Sequence, residues 1–357
     1  MLLSPHNIAW YLINQGHMPI GQLVDGLFRV DNSDSRNKNF IVNKDSDPAY
    51  FIKYVELPDQ DKTRTLRTEA TCYWLAANDP QYAGLKPYLP EYHVFDERAR
   101  ILVIGYARGF TTLQSYYAGS GPFSPAVPRI LGDILLSYHK HLSIHQGESR
   151  KLFQSEKPWV FTLGDPSAHV ATASEKKAMA QIHRLISDHP HFMELIAAQE
   201  QWWRDECLVH NDVKFANFLV RQPPEEKLAG DEKPDILLAD WELASLGDPC
   251  WDAAAVLQSY LLLWLNSEPN GSRPPPALQS SMQTFWDHYA SGMGYTADQL
   301  QKTIRFCALK LIHSCFETTP HTQSLEPVGA RLLQMSYNIL KDPAAARDQL
   351  FGISYDA

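Results

Sequence analysis

The first hundred residues and the rest of the chain carry different hydrophobic patterns. Ser4-Pro5 places an N-cap residue and an N1 proline ahead of a short apolar-periodic stretch, which predicts a helix running to about Asn14 and ending at Gly16. Three strand-like runs follow: a loosely alternating one over 21–31, NFIVN at 39–43 and YFIKYV at 50–55. Polar turns separate them, DNSDSRNK at 31–38 and KDSDP at 44–48. A helical pattern covers 63–78, and two further strands fall at 91–95 and 100–106. After Gly109 helical periodicity dominates, over 126–142, 174–186, 192–206, 252–265, 278–289 and 297–316. One short β region, at 208–220 and 236–241, interrupts it, and two polar segments at 222–234 and 267–276 read as surface insertions. The change of character sets a boundary near residue 107. It predicts an α+β chain whose first lobe, 1–106, is an antiparallel sheet with one main helix, and whose second, 107–357, is larger and mostly helical.

Composition narrows the classes. A chain of 357 residues suggests about two domains, and 44% hydrophobic with 20% charged residues is ordinary for a globular protein. The net charge of -9 comes without a basic stripe, so a nucleic-acid partner is not expected. No apolar run approaches the roughly 20 residues of a bilayer span, and no basic patch, apolar stretch and cleavage site open the sequence. A membrane partner and a secretory route are therefore not expected either. Cys72, Cys207, Cys250, Cys307 and Cys315 are odd in number, scattered and free of C-x-x-C spacing. They read as reduced thiols, which points to the cytoplasm.

Two segments carry chemistry. In LVHNDVKFANFLV, 208–220, an apolar strand delivers His210, Asp212, Lys214 and Asn217 into a loop, and a second strand leads away. Phosphoryl transfer needs a carboxylate to accept or orient the acceptor hydroxyl proton and an oxygen ligand for Mg²⁺ nearby. Asp212 and Asn217, five positions apart, can supply both. In ILLADWELASLGDPCWDAAAV, 236–256, a buried apolar strand ends at Asp240, a hard oxygen donor suited to Mg²⁺ and ATP phosphates. Asp252 opens the run AAAVLQSYLLL and reads as a helix N-terminal carboxylate. Trp202, Trp203, Trp241 and Trp251 flank these motifs and read as core packing.

These segments resemble the aminoglycoside phosphotransferase and choline kinase superfamily, which shares the protein-kinase fold and the pattern H-x-D-x-x-x-x-N followed by a strand and D. The His-Asn-Asp start is similar to choline and ethanolamine kinases, and the DWE…GDPxWD run to bacterial aminoglycoside phosphotransferase-type enzymes. The resemblance implies a bilobal protein-kinase-like fold, ATP as phosphate donor with GTP as the alternative, Mg²⁺, and a small hydroxylated acceptor. It implies Asp212 as base and Asn217 with Asp240 as metal ligands. Lys53, inside FIKYV, would hold the α- and β-phosphates, oriented by Glu69 on the helix sixteen positions later. His210 would pack beneath the loop, and Asp252, with Asp248, would brace it from below. Backbone groups of Gly105 to Ala107 would bind adenine, and Asn39 matches an asparagine common at the start of the second strand. The turn at 31–38 departs from the kinase pattern in lacking glycine, although amides around Ser33 could still meet phosphate. Lys214 is less usual for this group. It reads either as a cation on the transferring phosphate or as an exposed surface lysine.

Two function classes stay open. One is an active phosphotransferase whose acceptor is an aminoglycoside-like antibiotic, an amino alcohol as in choline or ethanolamine kinases, or a sugar-like metabolite. The other is a non-catalytic nucleotide-binding pseudokinase or interaction module. Retention of Lys53, Glu69, Asp212, Asn217 and Asp240 favours the first. Eleven residues separate Asp240 from Asp252, enough to turn a corner and start a helix but not to build a peptide platform, so a small-molecule acceptor is expected. The sequence leaves the oligomeric state open.

Overall fold

The computed structural model describes residues 2–354 except 27, 35–37, 44, 57–58, 120–122, 141–148, 165–176, 222–233, 269–270 and 320–323. The polar segment expected at 222–234 lies almost wholly outside the described residues, as do the tip of the 31–38 turn, the start of the 174–186 helix and part of the 267–276 insertion.

The chain packs as two compact units, one of residues 1–116 and 216–244, the other of 117–215 and 245–357. The expected boundary at 107 falls within the first unit, because the chain returns to that unit to complete a second sheet.

The first unit opens with α1 (Ile8–Asn14) and α2 (Ile20–Val24). Asn7, not Ser4, precedes α1, and its Oδ1 accepts the Ser4 N–H at 2.8 Å. Five strands then form one antiparallel sheet: β1 (Val30–Asp34), β2 (Lys38–Val42), β3 (Tyr50–Tyr54), β4 (Tyr92–Asp96) and β5 (Ile101–Gly105), in the order β1-β2-β3-β5-β4. Two expectations are corrected here. The run 21–31 is not one strand, since α2 takes its start and Gly26 at φ 70 ends that helix. Much of the polar 31–38 stretch is strand rather than turn, because its backbone pairs with β2 whatever its side chains.

Alternation divides the sheet's faces. Phe40, Val42, Ile52, Tyr54, Ile101 and Val103 enter a core with Ile8 and Leu12 of α1. The intervening Asn39, Phe51, Lys53 and Ile104 line a cavity. A register slip of one residue would bury the polar row and expose the core. Helix α3 (Gln60–Asn78) begins at Asp59, whose carboxylate accepts the Lys62 N–H at 3.1 Å. Its buried residues include Leu66, Glu69, Ala70, Tyr73 and Ala76, one face at helical spacing. Strand β6 (Phe110–Thr112), not foreseen in the sequence, leads into α4 (Leu113–Ala118), where the unit ends.

The second unit contains α5 (Ala126–His139), α6 (Ser149–Leu152), α7 (Lys177–Ser187), α8 (Pro190–Ala197) and β7 (Cys207–Val209). The helix expected over 192–206 stops at Ala197. Beyond it come a 3-10 turn over Glu200–Trp202 and then extended backbone into β7, where the Trp203 ring is buried against Phe161 and Trp251 and the Arg204 N–H is taken by Asp248 at 2.9 Å. The chain next gives β8 (Phe218–Arg221) and β9 (Ile236–Leu238) to the first unit, where they complete the antiparallel sheet β6-β8-β9. Back in the second unit, β10 (Ser245–Gly247) pairs antiparallel with β7. Gly247 is required there, because a Cβ would lie 2.8 Å from Val209 Cγ2 and 3.0 Å from Trp203.

Helix α9 (Pro249–Ser267) follows, capped by Asp248 with proline at its first position, which starts it three residues earlier than expected. It is buried nearly all round and forms the centre of the unit. The remaining helices are α10 (Pro276–Met293), α11 (Ala297–Thr318), α12 (Pro327–Lys341) and α13 (Pro343–Ala346). Helix α11 packs against both α9 and α12, and α10 against α5. All five cysteines are free and buried. No helix among the described residues is long and apolar enough to cross a membrane.

Candidate functional site

The first unit holds a cavity of about 610 Å³. Strand register explains its polar wall: Ser33, Asn39 and Lys53 are successive cross-strand partners on β1, β2 and β3, and all three line it. Glu69 and Tyr73 enter from α3, Gly105 to Ala107 from the exit of β5, and Asp240 and Glu242 from the turn after β9. Phe51, Ile104, Phe110 and Leu219 supply apolar surface.

Lys53 is the electrostatic centre of this cavity. Its Nζ lies 2.9 and 2.7 Å from the two oxygens of Glu69 and 2.6 Å from Asp240 Oδ1, so three N–H groups meet two carboxylates. Burial opposes the charge on Lys53, but Glu69 and Asp240 outweigh it and raise its pKa above the usual lysine value. Glu69 is wholly buried, and burial lifts its carboxyl to about 7 against the pull of Lys53. Asp240 is about one-third exposed. Its backbone sits in the left-handed region at φ 69. Asp visits that region more readily than most residues, and here it marks a sharp exit from β9. Asn217 is buried at the entrance to β8. Its carbonyl accepts the Ala239 N–H at 3.0 Å, and it is not among the residues lining the cavity.

The second unit holds the loop after β7. His210 is fully buried, and its Nδ1 accepts the Asp212 N–H at 3.2 Å. Asn211 is left-handed at φ 66, and its side-chain amide donates to Ser245 Oγ at 2.8 Å. Asp212 accepts Lys214 Nζ at 3.0 and 2.8 Å, and the Lys214 side chain is 42% exposed. Lys214 thus stands beside the carboxylate it follows, on a side chain that is partly exposed.

Asp252, in the first turn of α9, lies under this loop. It accepts the His210 N–H at 2.7 Å, the Asn211 N–H at 3.0 Å and the Tyr138 hydroxyl at 3.0 Å, with His139 Nε2 at 3.3 Å. Burial alone would raise its carboxyl, but the hydrogen bond and charge of His139, with His210 and Lys310, hold it below the usual range. Asp248 caps α9 through the Cys250 N–H, accepts the Arg204 N–H and pairs with Lys302. Burial pushes the Asp248 carboxyl up to about 6 against Lys302. Trp203, Trp241 and Trp251 are buried, and Trp202 is partly so.

Sequence reading missed Tyr138, His139, Lys302 and Lys310. The two lysines carried a signal: each falls at helical spacing within the buried stripe of α11, where a lysine must have a partner. Among the described residues no group of three or more His, Cys, Asp or Glu side chains forms a metal cluster.

The antiparallel N-terminal sheet, the helix carrying Glu69 and the mostly helical remainder define the protein-kinase-like fold. The chain belongs to the phosphotransferase enzyme family, whose model matches residues 28–278, and is a small-molecule phosphotransferase with an alcohol group as acceptor. Solved structures agree on the fold. The microcompartment-associated aminopropanol kinase is similar at 14% identity and TM-score 0.57, over 93% of this chain and 99% of its own. Aminoglycoside phosphotransferase APH(4)-Ia is similar at 14% identity and TM-score 0.51, over 91% and 98%. The choline kinase LicA from Streptococcus pneumoniae is similar at 16% identity and TM-score 0.50, over 90% and 97%. No curated protein matches the chain.

Proposed function

We propose that the protein transfers the γ-phosphate of ATP to a hydroxyl of a small molecule with the help of Mg²⁺. The observation that carries this reading is Lys53, a buried ammonium held by Glu69 and Asp240 in the wall of the cavity. A cation so placed is suited to the α- and β-phosphates of a nucleotide. The apolar surface of Phe51, Ile104 and Leu219 suits a base, and the backbone of Gly105 to Ala107 offers hydrogen-bonding groups at its edge. Ser33 and Asn39 lie in the same row as Lys53 and would serve the phosphates.

Asp240 would hold the metal. Mg²⁺ takes one or two carboxylates, phosphate oxygens and waters, so a single partly exposed aspartate fits it without a protein cluster. When bound with nucleotide, Mg²⁺ neutralises charge on the transferring phosphoryl group. Asn217 is assigned as its second ligand from its place five residues after Asp212. Asp212 would take the proton of the acceptor hydroxyl, with the Lys214 ammonium beside it for the phosphate charge. His210, Asp248 and Asp252 hold that loop and the start of α9.

The acceptor is a small molecule because the chain between Asp240 and α9 is used up. Residues Trp241–Leu243 form one 3-10 turn, Ser245–Gly247 form β10, and Asp248 caps the helix. Aminoglycoside-like, amino-alcohol and sugar-like acceptors all fit this reading.

Titration calorimetry of ATP with and without Mg²⁺, on the parent, Lys53→Met and Asp240→Ala, tests the cavity. The parent should bind, Lys53→Met should bind more weakly, and Asp240→Ala should lose the Mg²⁺-dependent part. Unchanged Mg·ATP affinity in both variants would defeat the reading.

A further inference from the structure

The loop residue that directs Asp212 is the left-handed Asn211, and its peptide groups are gripped from two sides. Its N–H donates to Asp252 Oδ1 at 3.0 Å, and its carbonyl accepts Lys310 Nζ at 2.9 Å. Lys310 comes from the middle of α11, 99 positions along the chain, and is 5% exposed. Its ammonium also lies 4.4 Å from the centre of the Trp251 ring. The same turn of α11 is fixed by Gln258, whose Nε2 donates to the Lys310 carbonyl and to Ser314 Oγ, each at 2.7 Å. The cation is therefore delivered from a rigid frame.

A buried ammonium is expensive to desolvate, and replacing buried charge by apolar groups of similar volume is often neutral or stabilising. Packing alone would be served equally well by methionine. The contacts of Lys310 point elsewhere. It meets one carbonyl, that of the residue immediately before Asp212; burial lowers its pKa, and the charges of Asp252, Asp212 and Glu317 act against that. Asp252 fixes the N–H side of Asn211, and Lys310 fixes the carbonyl side of the peptide that enters Asp212. The N–H of that same peptide donates to His210 Nδ1 at 3.2 Å, so Lys310 closes its other end and the peptide cannot turn about a single hydrogen bond.

We propose that Lys310 is a positioning residue for phosphoryl transfer, clamping the Asn211 carbonyl so that Asp212 is presented in one orientation. This rests on the reading of Asp212 as base. The cavity that would bind nucleotide lies in the other unit, so the role of Lys310 is read in turnover rather than in nucleotide affinity.

The test measures Mg²⁺-dependent turnover of ATP, with choline, aminopropanol and hygromycin B each as acceptor and with water where none reacts. The proteins are the parent, Asp212→Asn, Lys310→Met and Lys310→Arg, with the ATP Kd of each taken by calorimetry. Misplacement of a reacting group by about 1 Å can cost about 100-fold, so Lys310→Met should lose about 10- to 100-fold in kcat with ATP Kd within about twofold of the parent. Lys310→Arg keeps a cation and a donor and should recover at least about a third of the lost logarithm of rate. If Lys310→Met does not accumulate as folded protein, Lys310→Gln, which keeps a donor without the charge, is measured in its place, with a loss of about tenfold expected. Full turnover in Lys310→Met or its replacement would overturn the inference. So would equal losses in the folded Met and Arg variants, or a matching loss of ATP affinity. A parent that never turns over, or an Asp212→Asn variant as active as the parent, would instead sink the functional reading on which the inference rests.

Discussion

Replacing Asp252 by Asn removes one charge and leaves the shape. In the parent, Oδ2 accepts the His210 N–H and the Tyr138 hydroxyl and lies 3.3 Å from His139 Nε2, while Oδ1 accepts the Asn211 N–H. An amide has one oxygen. If it takes the Oδ2 position, the new NH₂ faces the Asn211 N–H, and two buried donors oppose each other. An unsatisfied buried donor costs about 1–3 kcal/mol, and the bonds that survive lose the charge that strengthened them. Release of a desolvated carboxylate offsets part of this, so the net loss should be about 3–5 kcal/mol, as for breaking other buried charged networks. At roughly 2 °C per kcal/mol for a long chain, the thermal midpoint should fall by about 6–10 °C. The acid limb supplies a second readout. The folded carboxyl lies below its unfolded value of about 3.9, so its contribution is complete above that pH and fades as pH falls through the folded value. The parent should therefore lose stability on acidification faster than Asp252→Asn. Scanning calorimetry of both proteins from pH 3 to pH 7 measures this. A midpoint shift under about 1 °C at neutral pH, with parallel acid limbs, would refute the reasoning.

Glu69 should behave in the opposite sense. Its folded carboxyl is lifted to about 7, so the folded state holds the proton more tightly, and this group favours folding most below about pH 4.5 and progressively less as pH rises through 7. Between pH 5 and pH 8 the parent should lose more stability than Glu69→Gln, and equal losses in thermal melts would contradict it. Gly247→Ala should destabilise by about 1–3 kcal/mol, because its Cβ would press on Val209 and Trp203 across a buried strand pair. Chemical denaturation reads that loss, and a neutral effect would mean the strand pair can give way.

The elements that position the cavity were legible in the sequence because each is written locally. FIKYV has strand period, LRTEATCYWLA has helical period, and the strand ending at Asp240 is a short apolar run with polar flanks. Strand β6 and strand β10 were not legible, since three residues carry no period and their pairing is set by distant partners, β8 and β7. The helix assigned to 192–206 holds only to Ala197: a 3-10 turn over Glu200–Trp202 follows, and Asp248, far along the chain, takes the Arg204 N–H where the backbone has become extended. The contacts around the loop divide in the same way. His210, Asp212 and Lys214 are neighbours in one motif, whereas Tyr138, His139 and Lys310 reach it from two other helices. A lysine in the apolar stripe of α11 announces a buried partner, but only the packing of α11 against α9 says which one.

The central claim is transfer of phosphate from ATP to a small-molecule hydroxyl with Asp212 as the base. The most direct measurement is mass detection of an added phosphate after incubation with Mg·ATP and a panel of amino alcohols, aminoglycosides, sugars and peptides, for the parent and for Asp212→Asn. The account predicts a phosphorylated small molecule in the parent, none or at least about 100-fold less in Asp212→Asn, and undiminished ATP binding by that variant. Phosphorylation of peptides alone, or an Asp212→Asn variant that turns over like the parent, would contradict it.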